Sequence, residues 1–497
     1  MKIQAILDCI ESAGNRLPNP TVLFVVLCGI VLAASGLSAL LSLQVVHPVN
    51  GNIIHAVNLL SVAGLHRILT ETVTNFTSFA PVGTVLVAIM GVGVAEHSGL
   101  LGVLLRATIL KLPGQLLSFG VVLAGALSSI AADAGYVVLI PLAGLMFASV
   151  GRHPIAGIAA AFAGVSGGFS ANLLITPIDA ILAGISTEGA ALIQPDYQVS
   201  AAGNYYFMVV STVLLAIVGT WITEKIICRR LPDGNWQTGA VEEITSADRR
   251  GLYAVAGFTL VFIALLLIGL VPESGVLRDT QTRGVLTSPF IKGIVTVIAI
   301  YAALAGIVFG RVSGRYRRTG EFVDGMEKHM AAMAAYLVLF FFAAQFVSYF
   351  AWSNLGSILA ISGAGLLQQL QLNQALLLIA FVVLVAFVNI FIGSASGKWA
   401  LIAPVFVPML LLTGISPEAT QVAYRIGDST TNIITPLMPY FGVVVAFARQ
   451  YDKDIGIGTV IAMMLPYSVG FLITWSALLV IWILLGWPLG PGAGVFV

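Results

Sequence analysis

Long apolar runs separated by short polar clusters dominate the chain. A run of about 18 or more residues with few charges makes a helix able to cross roughly 30 Å of hydrocarbon. On that basis spans are predicted from about Thr21 to Leu43, Ser78 to Ala95, Tyr205 to Thr223, Leu252 to Val271, Gly293 to Gly310, Ala331 to Ser353 and Ile455 to Trp487. Two further stretches, 112–190 and 374–448, are equally apolar but broken by Gly, Pro, Ser, Thr, Asn and a few charges. Backbone leaves the helix at membrane depth only where it is buried in protein or lines a cavity. These stretches are therefore predicted to hold re-entrant hairpins and broken helices rather than ordinary spans.

The two punctuated stretches share a frame. In the first, Tyr136-Val-Val-Leu-Ile-Pro141 is followed thirteen residues on by Pro154, then by Ser170-Ala-Asn172-Leu-Leu-Ile-Thr176-Pro177. In the second, Trp399-Ala-Leu-Ile-Ala-Pro404 is followed thirteen residues on by Pro417, then by Thr430-Thr-Asn432-Ile-Ile-Thr435-Pro436. The match is partial, with a gap of about three residues after the second proline. Paired Gly/Pro-broken segments in two halves point to a transporter's central site. Hairpin tips are expected near Ser128 to Asp133 and Gly393 to Gly397, and helix breaks near Asn172 to Pro177 and Asp428 to Pro436. If the halves are inverted, all four meet at mid-membrane, where half-helix ends and freed carbonyls offer sites for ions.

Composition makes lipid the solvent: of 497 residues 58% are hydrophobic and 9% charged, too little charge to coat a soluble globule. A net charge of +1, with Arg and Lys mostly in loops between apolar runs rather than on one face, leaves no footprint for nucleic acid. Cys9, Cys28 and Cys228 are scattered without metal-ligand or disulfide spacing. Arg229, Arg230, Arg249 and Arg250 form one basic segment, and Arg311, Arg315, Arg317, Arg318 and Lys328 another. The positive-inside rule places both in the cytoplasm, and with them the N-terminus. The predicted fold is an all-α polytopic membrane protein of the cell inner (plasma) membrane, with about nine transmembrane helices plus two re-entrant helical hairpins in an inverted repeat. Residues 1–110 would form N-terminal scaffold or dimerisation spans, 111–200 the first hairpin and broken helix, and 201–372 scaffold spans with cytoplasmic loops. The second hairpin and broken helix would occupy 373–450, and a C-terminal span 451–497.

An ionisable group at mid-bilayer costs on the order of 2.5–3.5 kcal/mol on insertion scales and is a functional suspect by default. Asp133, Asp179, Lys398, Arg425 and Asp428 are the suspects. Arg425 and Asp428, one helical turn apart, are placed to pair with each other while lining the cavity; a purely structural ion pair is the other reading. Sodium wants five or six hard oxygens, and Asn389, Gly393, Ser394, Asp428 and Asn432 form the expected set. Asp179, just past the Thr176-Pro177 break, would take up a proton, meet a polar substrate group or simply cap its helix. Trp399 is placed to stack on an aromatic ligand, although tryptophan is also a common interfacial anchor. Gly164-Val-Ser166-Gly167 has the form of an intramembrane serine protease motif, but the histidine that follows it, His329, lies in a cytoplasmic segment, so close helix packing is the better account. No enzyme is expected. A passive channel or a carrier for another organic anion is the alternative; a channel would need neither an ion site nor broken hairpins.

At these hairpins and the Arg425/Asp428 segment the chain resembles the p-aminobenzoyl-glutamate transporter (AbgT) family. The likeness runs through Leu60-Ser-Val-Ala-Gly-Leu-His66, Val150-Gly-Arg-His-Pro154, Ala183-Gly-Ile-Ser-Thr-Glu188, Ser288-Pro-Phe-Ile-Lys-Gly293, Ala403-Pro-Val-Phe-Val-Pro408 and Tyr424-Arg-Ile-Gly-Asp428-Ser. It implies nine spans, two hairpins, a bowl-shaped homodimer with an aqueous basin, and a cation-coupled transporter. Implied substrates are p-aminobenzoyl-glutamate and p-aminobenzoate, with efflux of sulfonamides also implied. By position it implies that Asp179, Trp399, Pro417, Arg425 and Asp428 line the substrate path, and that Asn389 and Asp428 hold sodium. Asn172, at the first break, joins the candidate substrate contacts. The expected coupling ion is Na+ or H+.

Overall fold

The computed structural model describes residues 20–46, 51–109, 113–131, 135–231, 244–281, 283–285, 288–436, 438 and 440–497. Six helices are long and apolar enough to span a bilayer: Thr21–Leu40, Tyr205–Arg230, Ser246–Leu270, Ile294–Val312, Ala334–Trp352 and Ile457–Leu485. A seventh crossing, expected as one straight span near Ser78 to Ala95, is a pair of helices, Val85–His97 and Leu100–Ala107, bent by 65°. Gly99 makes the bend at φ +82°, a left-handed backbone that glycine adopts without steric penalty.

The punctuated stretches fold as predicted in kind. In the first, helix Leu117–Leu127 returns through the π-helical turn Gly135–Leu139 into Ile140–Ser149. The broken helix follows: Pro154–Phe162 continues as the π-helical Ala163–Gly167, unwinds, and resumes as Pro177–Ala191. In the second, Gln374–Asn389 turns into Ala395–Leu411, and Pro417–Thr431 unwinds before Phe441–Arg449. Each broken helix opens on a proline at its first turn, where the missing N–H is no loss. Among the described residues the six long helices, the bent pair and the two broken helices make nine crossings, with two hairpins besides. Asp133, expected at the first hairpin's tip, lies outside the described residues.

Helix Tyr205–Ile222 and its π-helical extension Thr223–Ile227 show that the repeats are inverted. At its start Asn204 Nδ2 donates to the Glu418 carbonyl oxygen at 3.0 Å, and at its far end Arg152 Nη1 pairs with Glu224 at 2.5 Å. Pro154 and Pro417 therefore enter from opposite sides. Two glycines, each ten residues past its proline, set the same close packing in both halves. A Cβ on Gly164 would lie 2.4 Å from the Val122 carbonyl oxygen, and one on Gly427 2.5 Å from that of Val382. Only glycine lets each broken helix lie this close to the first arm of its hairpin. This also explains the Gly164-Val-Ser166-Gly167 motif as packing.

Outside the membrane, the C-terminal residues fasten the second broken helix. Ser416 N donates to Val495 O at 3.0 Å, Ser416 Oγ to Gly494 O at 2.7 Å, and Ile415 bridges Phe496. On the opposite side the short helix Glu321–Ala332 lies against the bent crossing, joined by His329 Nε2 and Glu96 Oε2 at 3.0 Å.

Candidate functional site

The two breaks and the second hairpin tip meet in one polar cluster inside the protein. Arg425 and Lys398 are fully buried, and Asp428 and Asp179 are 1% and 7% exposed. The expected pairing of Arg425 with Asp428 is not what forms. Arg425 Nη1 pairs across the repeats with Asp179 Oδ1 at 2.6 Å, while Asp428 Oδ1 pairs with Lys398 Nζ at 2.6 Å. The physical reason is that each charge finds a closer opposite charge on a facing element than along its own helix. Desolvating each ion costs several kcal/mol, so removing one member of such a pair typically costs about 3–5 kcal/mol.

Asp179 has two tasks. Its Oδ2 accepts from Thr176 N at 2.6 Å and Thr176 Oγ1 at 2.7 Å, capping the half-helix Pro177–Ala191, and its Oδ1 meets Arg425. The guanidinium also approaches the Ser170 carbonyl oxygen at 3.4 Å, and Ser170 N donates to Ser429 Oγ at 3.2 Å. Strands of unwound backbone from one repeat are thus tied to the helix of the other. Arg425 Nε and Nη2 and Ser170 Oγ, all buried, have no hydrogen-bond partner among the described residues. These are three buried polar atoms capable of holding an anion's oxygens.

Next to it lies an oxygen-rich cluster around the Lys398 ammonium. Asn389, the last residue of its hairpin arm, donates from Nδ2 to the Asp428 carbonyl oxygen at 2.6 Å, Thr431 Oγ1 at 2.8 Å and Asn432 Oδ1 at 2.9 Å. Asn389 Oδ1 accepts from the Lys398 ammonium, which also reaches the Ile392 carbonyl oxygen at 3.5 Å. Asn389, Asp428 and Asn432 are therefore together, as expected, with Gly393 directly after Ile392. Ser394 Oγ caps its helix by accepting from Gly397 N at 3.2 Å. The hard oxygens suit a small cation, and the chain's own ammonium sits among them. Lys398 was legible as a buried charge, but not as the partner of Asp428.

Three other predicted residues take different places. Trp399 is fully buried; its Nε1 donates to Leu182 O and Ser186 Oγ, both at 3.1 Å, and its ring packs on Tyr424 with centroids 4.4 Å apart. Tyr424, which the sequence did not single out, donates to the Ala395 carbonyl at the hairpin tip. Asn172 joins the first break to the first hairpin, donating to Ser129 Oγ at 2.6 Å. Pro417 opens the helix two turns before Arg425, roughly 12 Å away along the axis, and does not join the cluster.

Nine crossings, two inverted hairpins and buried charges at paired helix breaks define a membrane transporter built around one central site. The chain belongs to the AbgT putative transporter family, whose model matches residues 5–497. It is 37% identical over 486 residues to the p-aminobenzoyl-glutamate transport protein of Escherichia coli (strain K12), covering 97% of this chain and 95% of that one. Two solved structures resemble it at TM-score 0.93: the Alcanivorax borkumensis YdaH transporter, 51% identical over 95% of this chain and 100% of that chain, and Neisseria gonorrhoeae MtrF, 47% identical over 98% and 100%. YdaH is described as having an unusual topology, and MtrF as illuminating a class of antimetabolite efflux pumps.

Proposed function

We propose that this transporter moves p-aminobenzoyl-glutamate, p-aminobenzoate and related folate metabolites, including sulfonamide antimetabolites, across the inner membrane by coupling to a cation. The observation that carries the reading is Arg425: a buried guanidinium at the meeting of both breaks, with Nε and Nη2 unsatisfied beside Ser170 Oγ. A ligand carboxylate there would make charge-assisted hydrogen bonds and compete with Asp179 for the guanidinium. The names of the Escherichia coli and Neisseria gonorrhoeae relatives support the substrate class. Asp428, Asn389 and Asn432 are the proposed cation contacts, with Gly393 and Ser394 at the hairpin tip beside them. Asp179, Arg425, Asn172 and Trp399 border the substrate, Trp399 through Tyr424, and Pro417 marks the mouth of the path. The basic segments are placed in the cytoplasm with the N-terminus, and the working unit is proposed to be the homodimer that the family resemblance implies.

The test is flux of labelled p-aminobenzoyl-glutamate and p-aminobenzoate into proteoliposomes under imposed sodium or proton gradients. Gradient-driven flux that Asp428→Ala abolishes is the expected result. No flux of either compound under either gradient would overturn the substrate assignment.

A further inference from the structure

The sister repeat shows what the hairpin needs in order to fold. One residue before the tyrosine and the tryptophan that open the shared frame stand Gly135 and Lys398; one residue after the packing glycines Gly164 and Gly427 stand Val165 and Asp428. These positions touch in both halves. A Cβ on Gly135 would lie 3.0 Å from Val165 Cγ1, and Lys398 Nζ lies 2.6 Å from Asp428 Oδ1. Two uncharged residues lie together in one repeat where a buried ion pair stands in the other. Replacing buried ion pairs by apolar groups is often neutral or stabilising, so folding alone does not account for Lys398.

What Lys398 does hold is the cation position. Its ammonium is in contact with Asp428 Oδ1, the Asn389 side-chain oxygen and the Ile392 carbonyl oxygen. One lobe of the carboxylate, Asp428 Oδ2, is buried with no hydrogen-bond partner among the described residues. We propose that Lys398 is a tethered cation that competes with the coupling cation for Asp428 and Asn389, so that a sodium ion binds only when the ammonium swings out. This rests on the cation-coupled reading above. Two positive charges beside one buried carboxylate repel strongly, which makes the two occupants exclusive. The lysine keeps the site neutral when no ion is bound, and the ion's apparent affinity is reduced by the fraction of time the ammonium is away.

Sodium-specific thermal stabilisation of the purified protein, read against choline chloride at equal ionic strength and without substrate, tests the competition. Lys398→Gln removes the tethered charge and is expected to lower the sodium concentration giving half the maximal shift by about tenfold or more. Lys398→Arg keeps a charge with a stronger hold on the carboxylate and is expected to raise it by at least as much. Should the glutamine variant not fold, Lys398→Met, which likewise removes the charge and keeps Asp428, is expected to show the same lowering. The competition is overturned if native protein and Lys398→Gln respond to sodium alike, or if Lys398→Arg matches native; gradient-driven flux in the native protein would then leave the coupled-transport reading standing. No sodium-specific shift in native, Gln and Arg proteins together would overturn sodium as the occupant.

Discussion

Arg425 faces one anion already, and its response to substitution separates charge from geometry. Lysine at this place keeps the charge but cannot present the planar fork that grips a carboxylate. Arg425→Lys is expected to weaken p-aminobenzoyl-glutamate binding by about tenfold to a hundredfold, and to leave an uncharged analogue little affected; equilibrium binding to purified protein checks both. Gly427 makes a different kind of demand, since any Cβ would meet the Val382 backbone. Overpacking of this kind costs about 1–3 kcal/mol, so Gly427→Ala is expected to lower the unfolding temperature and to disturb Asn389 against Asp428. At this scale the sequence was half legible. Buried charges stand out against an apolar background, but their partners do not: local spacing favoured Arg425 with Asp428, and only the folded chain brings Asp179 and Lys398 closer.

Among the elements, the repeat was readable because prolines, glycines and Asn/Thr clusters must recur wherever a helix opens on proline and then unwinds. The bend at Gly99 was not, since a glycine inside an apolar run carries no sign of the angle it takes. The short helix Glu321–Ala332 brings a pH-dependent tie to that bent crossing. The hydrogen bond and charge of Glu96 raise the His329 pKa above its ordinary 6.5, with burial working the other way. Such a group adds stability in full below the ordinary value and loses it as pH rises through the raised one. The unfolding temperature of His329→Gln is therefore expected to fall below native at acidic pH by about 1 kcal/mol or less in equivalent free energy. The two should converge at alkaline pH in parallel melts.

For the whole molecule, inversion gives a directional test. Val150 lies just ahead of the first broken helix, and Phe496 lies beside the start of the second. In a chain freed of native cysteines, Val150→Cys is expected to react with an impermeant thiol reagent only from the cytoplasmic side, and Phe496→Cys only from the other. The fastening of Ser416 to Gly494 and Val495 has a separate consequence for how the protein is made. A ribosome that has finished the second broken helix must still translate the entire last span before the strap that holds its outer end exists. Until then the outer end of that helix lacks its ties to Gly494 and Val495. Chains stalled within that last span are the ones quality-control proteases would be expected to meet.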